Sequence, residues 1–335
     1  MRSNRPRILL TNSMSSRDLY YGEAALRGLR ELGEVVLNET DLSFSPEAMI
    51  EAAQHCEIIV SDRTTTGPAE VFAALPDLVA FCRCAVDIRN IDVEAASDAG
   101  VLVSQATPGF VDSVAELVIG FMVDLSRGVT KTTMAYHQAR APEVLFGRQL
   151  SSSTLGFIGY GRIARRVAEL ARAFGMTVLA HDPYTEINDA GVEAVSKDEV
   201  LARSDFLLPL AVATPETENL MNRSTFAAMK QGAFLVNVSR GNLVDEDALA
   251  DALRSGHLAG AALDVGRAAD QMPSPELARL PNVIATPHIG GATPDAAFHQ
   301  AADTVRQVAE IIRGRVPEGS VNADRATRLS VFENV

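Results

Sequence analysis

Residues 154–184 read TLGFIGYGRIARRVAELARAFGMTVLAHDPY and contain the signal that decides the fold. An apolar strand runs into a glycine turn, an amphipathic helix follows, and a second strand ends at Asp182. Gly159 permits the tight turn, Gly161 leaves space for a pyrophosphate against the backbone, and Ala164 allows close packing of the helix. The free N–H groups at the start of this helix favour phosphate, so the stretch predicts a dinucleotide site.

The cofactor predicted for this site is NAD. Asp182 ends the second strand, where a carboxylate accepts hydrogen bonds from a ribose 2′-hydroxyl. The same negative charge repels a 2′-phosphate, which favours NAD over NADP. A glycine pattern alone is weak evidence, but here strand, turn, helix, second strand and terminal acid occur in order. The alternative is a doubly wound fold whose crevice binds no cofactor.

Strand-like and helix-like segments alternate along the chain, which is typical of parallel sheets with crossover helices. Five strand candidates lie before about residue 105 and six between about residues 154 and 286, and a long helical segment, roughly 111–136, separates them. A last helical pattern, 294–314, has one apolar face that must pack on something, most simply the first domain.

We therefore predict an α/β protein with two doubly wound parallel-sheet domains. Residues 1–104 and 291–335 form a discontinuous substrate domain, and residues 105–290 form an inserted Rossmann domain that binds NAD.

The composition excludes several classes of partner. The 335 residues carry a formal charge of -13, which repels phosphate backbones and anionic lipids, so neither nucleic acid nor a membrane is an expected partner. The N-terminal apolar run is too short for a signal peptide, and a cytoplasmic location is expected. Cys56, Cys82 and Cys84 lack zinc or CxxC spacing, so no disulfide and no metal site is expected.

Three later strands end in polar residues: Arg240 follows FLVNVS, Asp264 lies in AALDV, and His288 lies in NVIATPHIGG. In an open parallel sheet, ligands bind at the carboxyl ends of the strands. Arg240 offers a planar, permanently charged fork to a carboxylate or carbonyl, and His288 can exchange a proton near neutral pH. Taken singly, they have ordinary alternatives, a surface arginine and a loop histidine. Together they predict hydride transfer at a carbonyl next to an acid.

Seven motifs between about residues 80 and 295 carry a resemblance to one enzyme family. They are RNIDVEAA, ATPGFVDSVAE, LGFIGYGRIA with DPY, TPET, GAFLVNVSRGNLVDEDALADAL, GAALDV and LPNVIATPHIGGAT. Because these motifs occur in this order and at this spacing, the chain resembles a D-isomer-specific 2-hydroxyacid dehydrogenase. The resemblance implies a flavodoxin-like substrate domain around the NAD domain, and a homodimer built largely on the NAD domain and the long helix.

The resemblance also implies roles for particular residues. Arg240 would bind and orient a 2-oxo acid, His288 would be the general acid in reduction and the base in oxidation, and Asp264 would support the site. Further NAD contacts are expected at Gly159, Tyr160, Gly161, Arg162, Ile163, Asp182, Pro183, Thr214, Ser239 and Gly290, beside Arg240, Asp264 and His288. Substrate contacts are expected at Arg63, Ala85, Val86, Asp87 and Arg240, with Thr64–Gly67 as a second substrate-facing loop.

One departure from the family concerns the partner of His288. Members normally support this histidine with a glutamate five residues beyond the aspartate of LDV, where this chain has Ala269. A nearby carboxylate favours the protonated imidazole, which is the form that donates to a carbonyl. Asp270 after a one-residue shift, Asp87 from the first domain, or another acid could take this place. Alternatively, the histidine works unaided.

A second departure lies in residues 85–87, AVD, where the family has a glycine-rich loop that holds the substrate carboxylate. Asp87 would put negative charge close to a bound carboxylate, which is unfavourable unless Arg63, Arg83 or Arg89 compensates.

The leading hypothesis is an NAD-dependent oxidoreductase that interconverts a D-2-hydroxy acid and its 2-oxo acid. Loss of the glutamate keeps open a non-catalytic NAD-binding scaffold or sensor of the corepressor type. A third hypothesis retains the dehydrogenase chemistry but gives it an unusual anionic substrate, with Arg63 as contact to a second anion.

Overall fold

The computed structural model describes residues 5–144 and 146–332. They divide into two compact units: the first runs up to Gly109 and resumes at Pro294, and the second is Phe110–Thr293. All pairs of named strands are parallel, and helices connect them, which confirms the predicted α/β fold class. The assignment of the substrate to the first unit stays a prediction.

The strands are short and follow one another along the chain. They are β1 Arg7–Leu10, β2 Glu34–Leu37, β3 Ile58–Ser61, β4 Ala80–Arg83, β5 Leu102–Gln105, β6 Thr154–Ile158, β7 Thr177–His181, β8 Glu193–Ala194, β9 Phe206–Pro209, β10 Ala233–Asn237, β11 Leu258–Leu263 and β12 Val283–Ala285.

The α-helices lie mostly between these strands. They are α1 Met14–Ser16, α2 Gly22–Leu32, α3 Pro46–Ala52, α4 Ala69–Ala74, α5 Val93–Asp98, α6 Val111–Arg127, α7 Val129–His137, α8 Arg162–Ala173, α9 Lys197–Arg203, α10 Arg223–Ala228, α11 Glu246–Arg254, α12 Pro275–Ala278 and α13 Pro294–Ile311. A π-helix, Arg17–Tyr21, precedes α2, and short 3-10 helices occur at Leu150–Ser152, Pro215–Thr217, Gly241–Leu243, Ala269–Gln271, Ala323–Arg325 and Thr327–Phe332. Of the helices in the described ranges, none combines the length and the hydropathy that a membrane crossing needs.

The first unit has the strand order β2-β1-β3-β4-β5, which is the flavodoxin-like order. Strands β3 and β4 are buried along their whole length because helices cover both faces of the sheet. The last helix, α13, packs on α2 so closely that a side chain at Gly28 would lie 2.9 Å from Val305 Cγ1. Its Thr304 hydroxyl lies 2.9 Å from the buried Tyr21 hydroxyl.

The second unit has the strand order β12-β11-β10-β9-β6-β7-β8. Its first strand, β6, therefore lies between β7 on one side and β9 on the other. Chain connections leave this point in opposite directions, so a crevice opens at the carboxyl end of β6, where ligands bind in doubly wound folds. Helix α8 starts directly after this strand and packs on α6 over one face of the sheet.

The sequence prediction was wrong at two places in the second unit. Six strands were predicted, and the structure adds β8 at the sheet edge beside β7. Since β8 has two exposed residues, it produces no apolar run in the sequence. The predicted helical segment 111–136 is two helices, because Gly128 has a left-handed conformation, φ 64°, and ends α6.

Candidate nucleotide-binding and active site

The glycine turn after β6 has the geometry that a dinucleotide requires. Gly159 has φ 94°, and a Cβ there would lie 2.5 Å from the backbone nitrogen of Ala211, so only glycine fits. A Cβ at Gly161 would meet no atom of the described residues within 4 Å, which leaves open space before the start of α8. Ala164 is buried against the sheet, as the sequence predicts. The residues present therefore fit a pyrophosphate on the helix N-terminus.

Asp182 is bound firmly at the end of β7. Its Oδ2 accepts a hydrogen bond from the backbone N–H of Tyr160 at 2.7 Å. Its Oδ1 accepts from the N–H groups of Tyr184 at 2.9 Å and Thr185 at 3.0 Å. Burial alone would raise the pKa of Asp182, but these backbone donors outweigh burial and lower it. The carboxylate is thus kept ionised beside the glycine turn, where it can accept from a ribose hydroxyl.

The turn that carries Arg240 is held by a buried amide. Asn237, the last residue of β10, donates from Nδ2 to the Arg240 carbonyl at 3.0 Å. Its Oδ1 accepts from the N–H of Ser239 at 3.1 Å. Arg240 itself is half-buried and donates from Nη1 to the carbonyl of Ser239 at 2.7 Å. Sequence reasoning missed Asn237, although a polar residue inside the apolar run FLVNV was a signal.

Asp264 organises the loop that contains His288. Its side chain is buried, and its Oδ1 accepts from the Thr286 hydroxyl at 2.7 Å and the Ile289 N–H at 2.8 Å. Its Oδ2 accepts from the N–H of Gly290 at 2.8 Å. A Cβ at Gly290 would itself lie 2.8 Å from this oxygen, so glycine permits the close approach. Asp264 therefore holds the loop through three hydrogen bonds.

His288 lies in the middle of this loop in a conformation that is rare for a residue with a side chain. Its φ is 55°, in the left-handed region. The backbone is held there because its N–H donates to the carbonyls of Asp264 at 3.0 Å and Thr286 at 2.9 Å. Strained residues of this kind are often found at functional sites.

The sheet order brings these residues to one edge. Arg240 follows β10, Asp264 follows β11 and His288 follows β12, and these three strands are neighbours. Strands two places apart are separated by about 10 Å. Arg240 and His288 thus lie in loops on either side of Asp264 at the carboxyl edge of the sheet.

The hydrogen bonds of Asp264 make a first prediction. In Asp264→Asn, the amide NH₂ must face the backbone N–H of either Ile289 or Gly290, whichever way the group is turned. We expect the free energy of unfolding to fall by about 2 kcal/mol, the cost of a buried donor without an acceptor. Urea unfolding measures this fall. Asp251→Asn on the exposed surface of α11 is the matched control, and equal stabilities of the two variants would contradict the assignment.

In the first unit, Arg83 is a buried structural residue rather than a surface cation. Its guanidinium donates to the carbonyl of Asp62, to the carbonyl of Thr65 at 2.9 Å and to Asn90 Oδ1 at 2.7 Å. Burial lowers the pKa of Arg83 to about 10, and the nearby acids Asp62 and Asp87 oppose this effect. Arg83 thereby joins the loop after β3 to the loop after β4.

The charge of Asp87 is balanced within its own loop. Arg89 donates from Nε to Asp87 Oδ1 at 2.9 Å and from Nη2 to Oδ2 at 2.5 Å. Arg89 is therefore one of the three arginines that the sequence offered to compensate the charge of Asp87, and the structure pairs it with this acid.

The remaining predicted residues are distributed over both units. Arg63 is exposed and Ala85 buried, while Val86 is half-buried, all at the carboxyl edge of the first sheet. In the second unit, the carboxyl edge of the second sheet carries the other predicted residues. They are Arg162 and Ile163 in the first turn of α8, Pro183 after β7, Thr214 after β9, and Ser239 and Gly290 in the loops described above. Ala269 is exposed in a 3-10 turn. The side chain of Asp270 lies outside the described part of the structure.

A parallel sheet in this order, with a glycine turn after its first strand and an acid after its second, defines a dinucleotide-binding domain of the Rossmann class. Residues 119–290 match the family model of the D-isomer specific 2-hydroxyacid dehydrogenase, NAD binding domain. The chain belongs to the D-isomer specific 2-hydroxyacid dehydrogenase family, and its cofactor is NAD.

Individual relatives agree with this family. The D-3-phosphoglycerate dehydrogenase of Methanocaldococcus jannaschii is 36% identical over 305 residues, which are 90% of this chain and 57% of that protein. The hydroxypyruvate reductase of Thermotoga maritima is 32% identical over 289 residues, 83% of this chain and 94% of that protein. A solved D-isomer specific 2-hydroxyacid dehydrogenase, NAD-binding, from Polaromonas sp. JS6 66 has a TM-score of 0.85 and 27% identity, and the match covers 95% of this chain and 99% of the other. The chain spans about half the length of the curated D-3-phosphoglycerate dehydrogenases it matches.

Proposed function

We propose that this protein is an NAD-dependent dehydrogenase that interconverts a 2-oxo acid and the corresponding D-2-hydroxy acid. One observation carries the proposal: Arg240, Asp264 and His288 follow three neighbouring strands at the sheet edge that also carries the glycine turn. An anion-binding fork and a proton donor beside a nicotinamide site are the groups that carbonyl reduction needs.

Each residue has a distinct role in the proposed reaction. NADH, when bound, supplies the hydride that is added to C2 of the 2-oxo acid. Arg240 binds the carboxylate and polarises the C2 carbonyl, while the His288 imidazolium donates its proton to the carbonyl oxygen as negative charge develops there. Asp264 keeps the His288 loop in the required conformation through its three hydrogen bonds. In the oxidative direction, neutral His288 accepts the proton of the hydroxyl group.

The acid that would support His288 is a further part of the proposal, and Asp87 is a candidate. If Asp87 favours the imidazolium, Asp87→Asn lowers the rate of reduction at neutral pH and moves the pH profile of reduction to lower pH. Initial rates between pH 5 and 9 measure this shift. Asp98→Asn, at an exposed ion pair with Arg325, is the control. An unchanged pH profile would exclude Asp87 from proton transfer.

We also propose a homodimer that forms through the second unit. Helix α7 and the segment after it carry apolar side chains that are exposed in the single chain: Val129 50%, Met134 51%, Tyr136 71% and Phe146 104%. Exposed apolar patches of this kind mark interaction surfaces. Tyr136→Ser with Phe146→Ser should therefore shift the particle from dimer to monomer in light scattering. A wild-type monomer at 50 μM, roughly the concentration of such assays, would contradict this.

The function is tested by following NADH oxidation with pyruvate, glyoxylate, hydroxypyruvate, phenylpyruvate and 2-oxoglutarate. Because one relative is named hydroxypyruvate reductase, hydroxypyruvate is the first substrate to try. D-3-phosphoglycerate with NAD tests the oxidative direction and the hypothesis of an unusual anionic substrate. Turnover of any 2-oxo acid supports the proposal. Tight NADH binding without turnover of the panel supports the scaffold or sensor instead.

A further inference from the structure

Arg267 lies in the turn after β11, three residues beyond Asp264, and its side chain reaches the loop after β9. Its Nη1 lies 2.7 Å from Glu218 Oε1. Its Nη2 donates to Asn219 Oδ1 at 2.6 Å. Arg267 holds the pKa of Glu218 below its usual value through this hydrogen bond, and Asn242 contributes to the same effect. The guanidinium is thus anchored on one side to an ionised carboxylate.

The same guanidinium also binds the loop after β10. Nη2 donates to the carbonyl of Asn242 at 3.0 Å, and Nε donates to the carbonyl of Val244 at 3.1 Å. Asn242 is the middle residue of the 3-10 turn Gly241–Leu243, Val244 follows this turn, and Arg240 is its N-cap. Arg267 therefore fixes the backbone immediately after Arg240.

The loop after β10 and the turn after β11 are also in direct contact. A Cβ at Gly241 would lie 2.1 Å from the carbonyl oxygen of Gly266, so the backbones touch. The N–H of Arg267 donates to Glu246 Oε1 at 3.0 Å, at the start of α11. A displacement of the Arg267 turn must therefore move the segment that presents Arg240.

We propose that Arg267 is a positioning residue for Arg240: its planar fork joins the loops after β9 and β10 and so sets where Arg240 meets the 2-oxo acid. This inference rests on the proposed function. Lysine cannot replace the fork, because a single ammonium cannot reach a carboxylate, an amide oxygen and two backbone carbonyls with the same planar geometry. The effect should appear in the handling of the 2-oxo acid and leave binding of NADH unchanged.

The test uses Arg267→Met and the milder Arg267→Lys in the full chain. We expect KM for the best 2-oxo acid to rise by about tenfold in both, which is less than the roughly 10²-fold loss that a misplacement of about 1 Å can cause. The Kd for NADH should stay within about twofold of wild type. A raised KM for the oxo acid with an unchanged Kd for NADH indicates that only substrate binding is lost. Arg223→Met is the matched control, since Arg223 makes an exposed ion pair with Asp251. Circular dichroism melting identifies a variant that fails to fold. If Arg267→Met does not fold, the KM of Arg267→Lys tests the inference.

A double-variant cycle distinguishes positioning from a general structural role. In an Arg240→Gln background, Arg267→Met should change kcat/KM by less than about twofold, because residues that act through one another are not additive. The inference would be overturned if the losses in kcat/KM of the two single variants multiplied in the double variant. It would also be overturned if Arg267→Met left KM unchanged while the wild type is active. Either result leaves the proposed function intact. A wild type that neither turns over any 2-oxo acid nor binds oxamate in the presence of NADH would overturn both.

Discussion

Replacing His288 with glutamine is expected to lower kcat for 2-oxo acid reduction by about 10²- to 10⁴-fold, the usual contribution of a positioned general acid. Glutamine retains a polar side chain of similar size but cannot donate a proton to the developing alkoxide. The Kd for NADH and the KM for the oxo acid should change little, because the lost interaction is made in the transition state. Stopped-flow measurement of NADH oxidation gives the chemical rate directly.

The control for this experiment is His257→Gln. His257 lies in the same unit and binds the carbonyl of Phe226 at 2.9 Å, and it precedes β11 at the end of the strand opposite to Asp264. If His288→Gln retained more than about a tenth of the wild-type kcat, another group would have to protonate the substrate.

Replacing Arg240 with glutamine should have a different signature. The guanidinium is proposed to bind both the carboxylate and the carbonyl, so its loss weakens substrate binding as well as the transition state. We expect kcat/KM to fall by about 10²- to 10³-fold, since truncation of one partner of a hydrogen-bonded charge pair costs about 2–5 kcal/mol. Arg240→Lys should recover only part of this loss, because lysine lacks the bidentate geometry.

The kinetic contrast between the two variants is the informative measurement. Arg240→Gln should raise KM for the oxo acid, whereas His288→Gln should mainly lower kcat. Equal losses in kcat with unchanged KM in both variants would contradict the proposed division of roles.

The parts of the fold that follow from local sequence could be predicted. The glycine turn, Asp182 and the strands that precede the site are specified by short stretches of chain, because apolar runs and glycines reflect local backbone geometry. The edge strand β8 could not be predicted, because two exposed residues carry no burial pattern. The break at Gly128 was missed because a single glycine inside a helical pattern is often tolerated.

The site is predictable from sequence at its strand ends and much less so where distant loops meet. The position of Asp264 at the end of an apolar run predicts that it helps to orient the site, and in the structure it accepts hydrogen bonds from the loop that contains His288. The role of Arg267 depends on backbone carbonyls brought together by the turns, which no spacing in the sequence encodes. In the sequence, Arg83 was considered only as a charge that could compensate Asp87, whereas the structure buries it at the end of β4, an interior strand of the first sheet.

The most direct test of the central claim is to follow the hydride itself. NADH that carries deuterium at both C4 positions should be oxidised with the best 2-oxo acid whose hydroxy acid is chiral, and the product should be analysed by mass spectrometry and chiral chromatography. We expect one deuterium at C2 and the D configuration of the hydroxy acid. A product without deuterium, or an L-hydroxy acid, would contradict it.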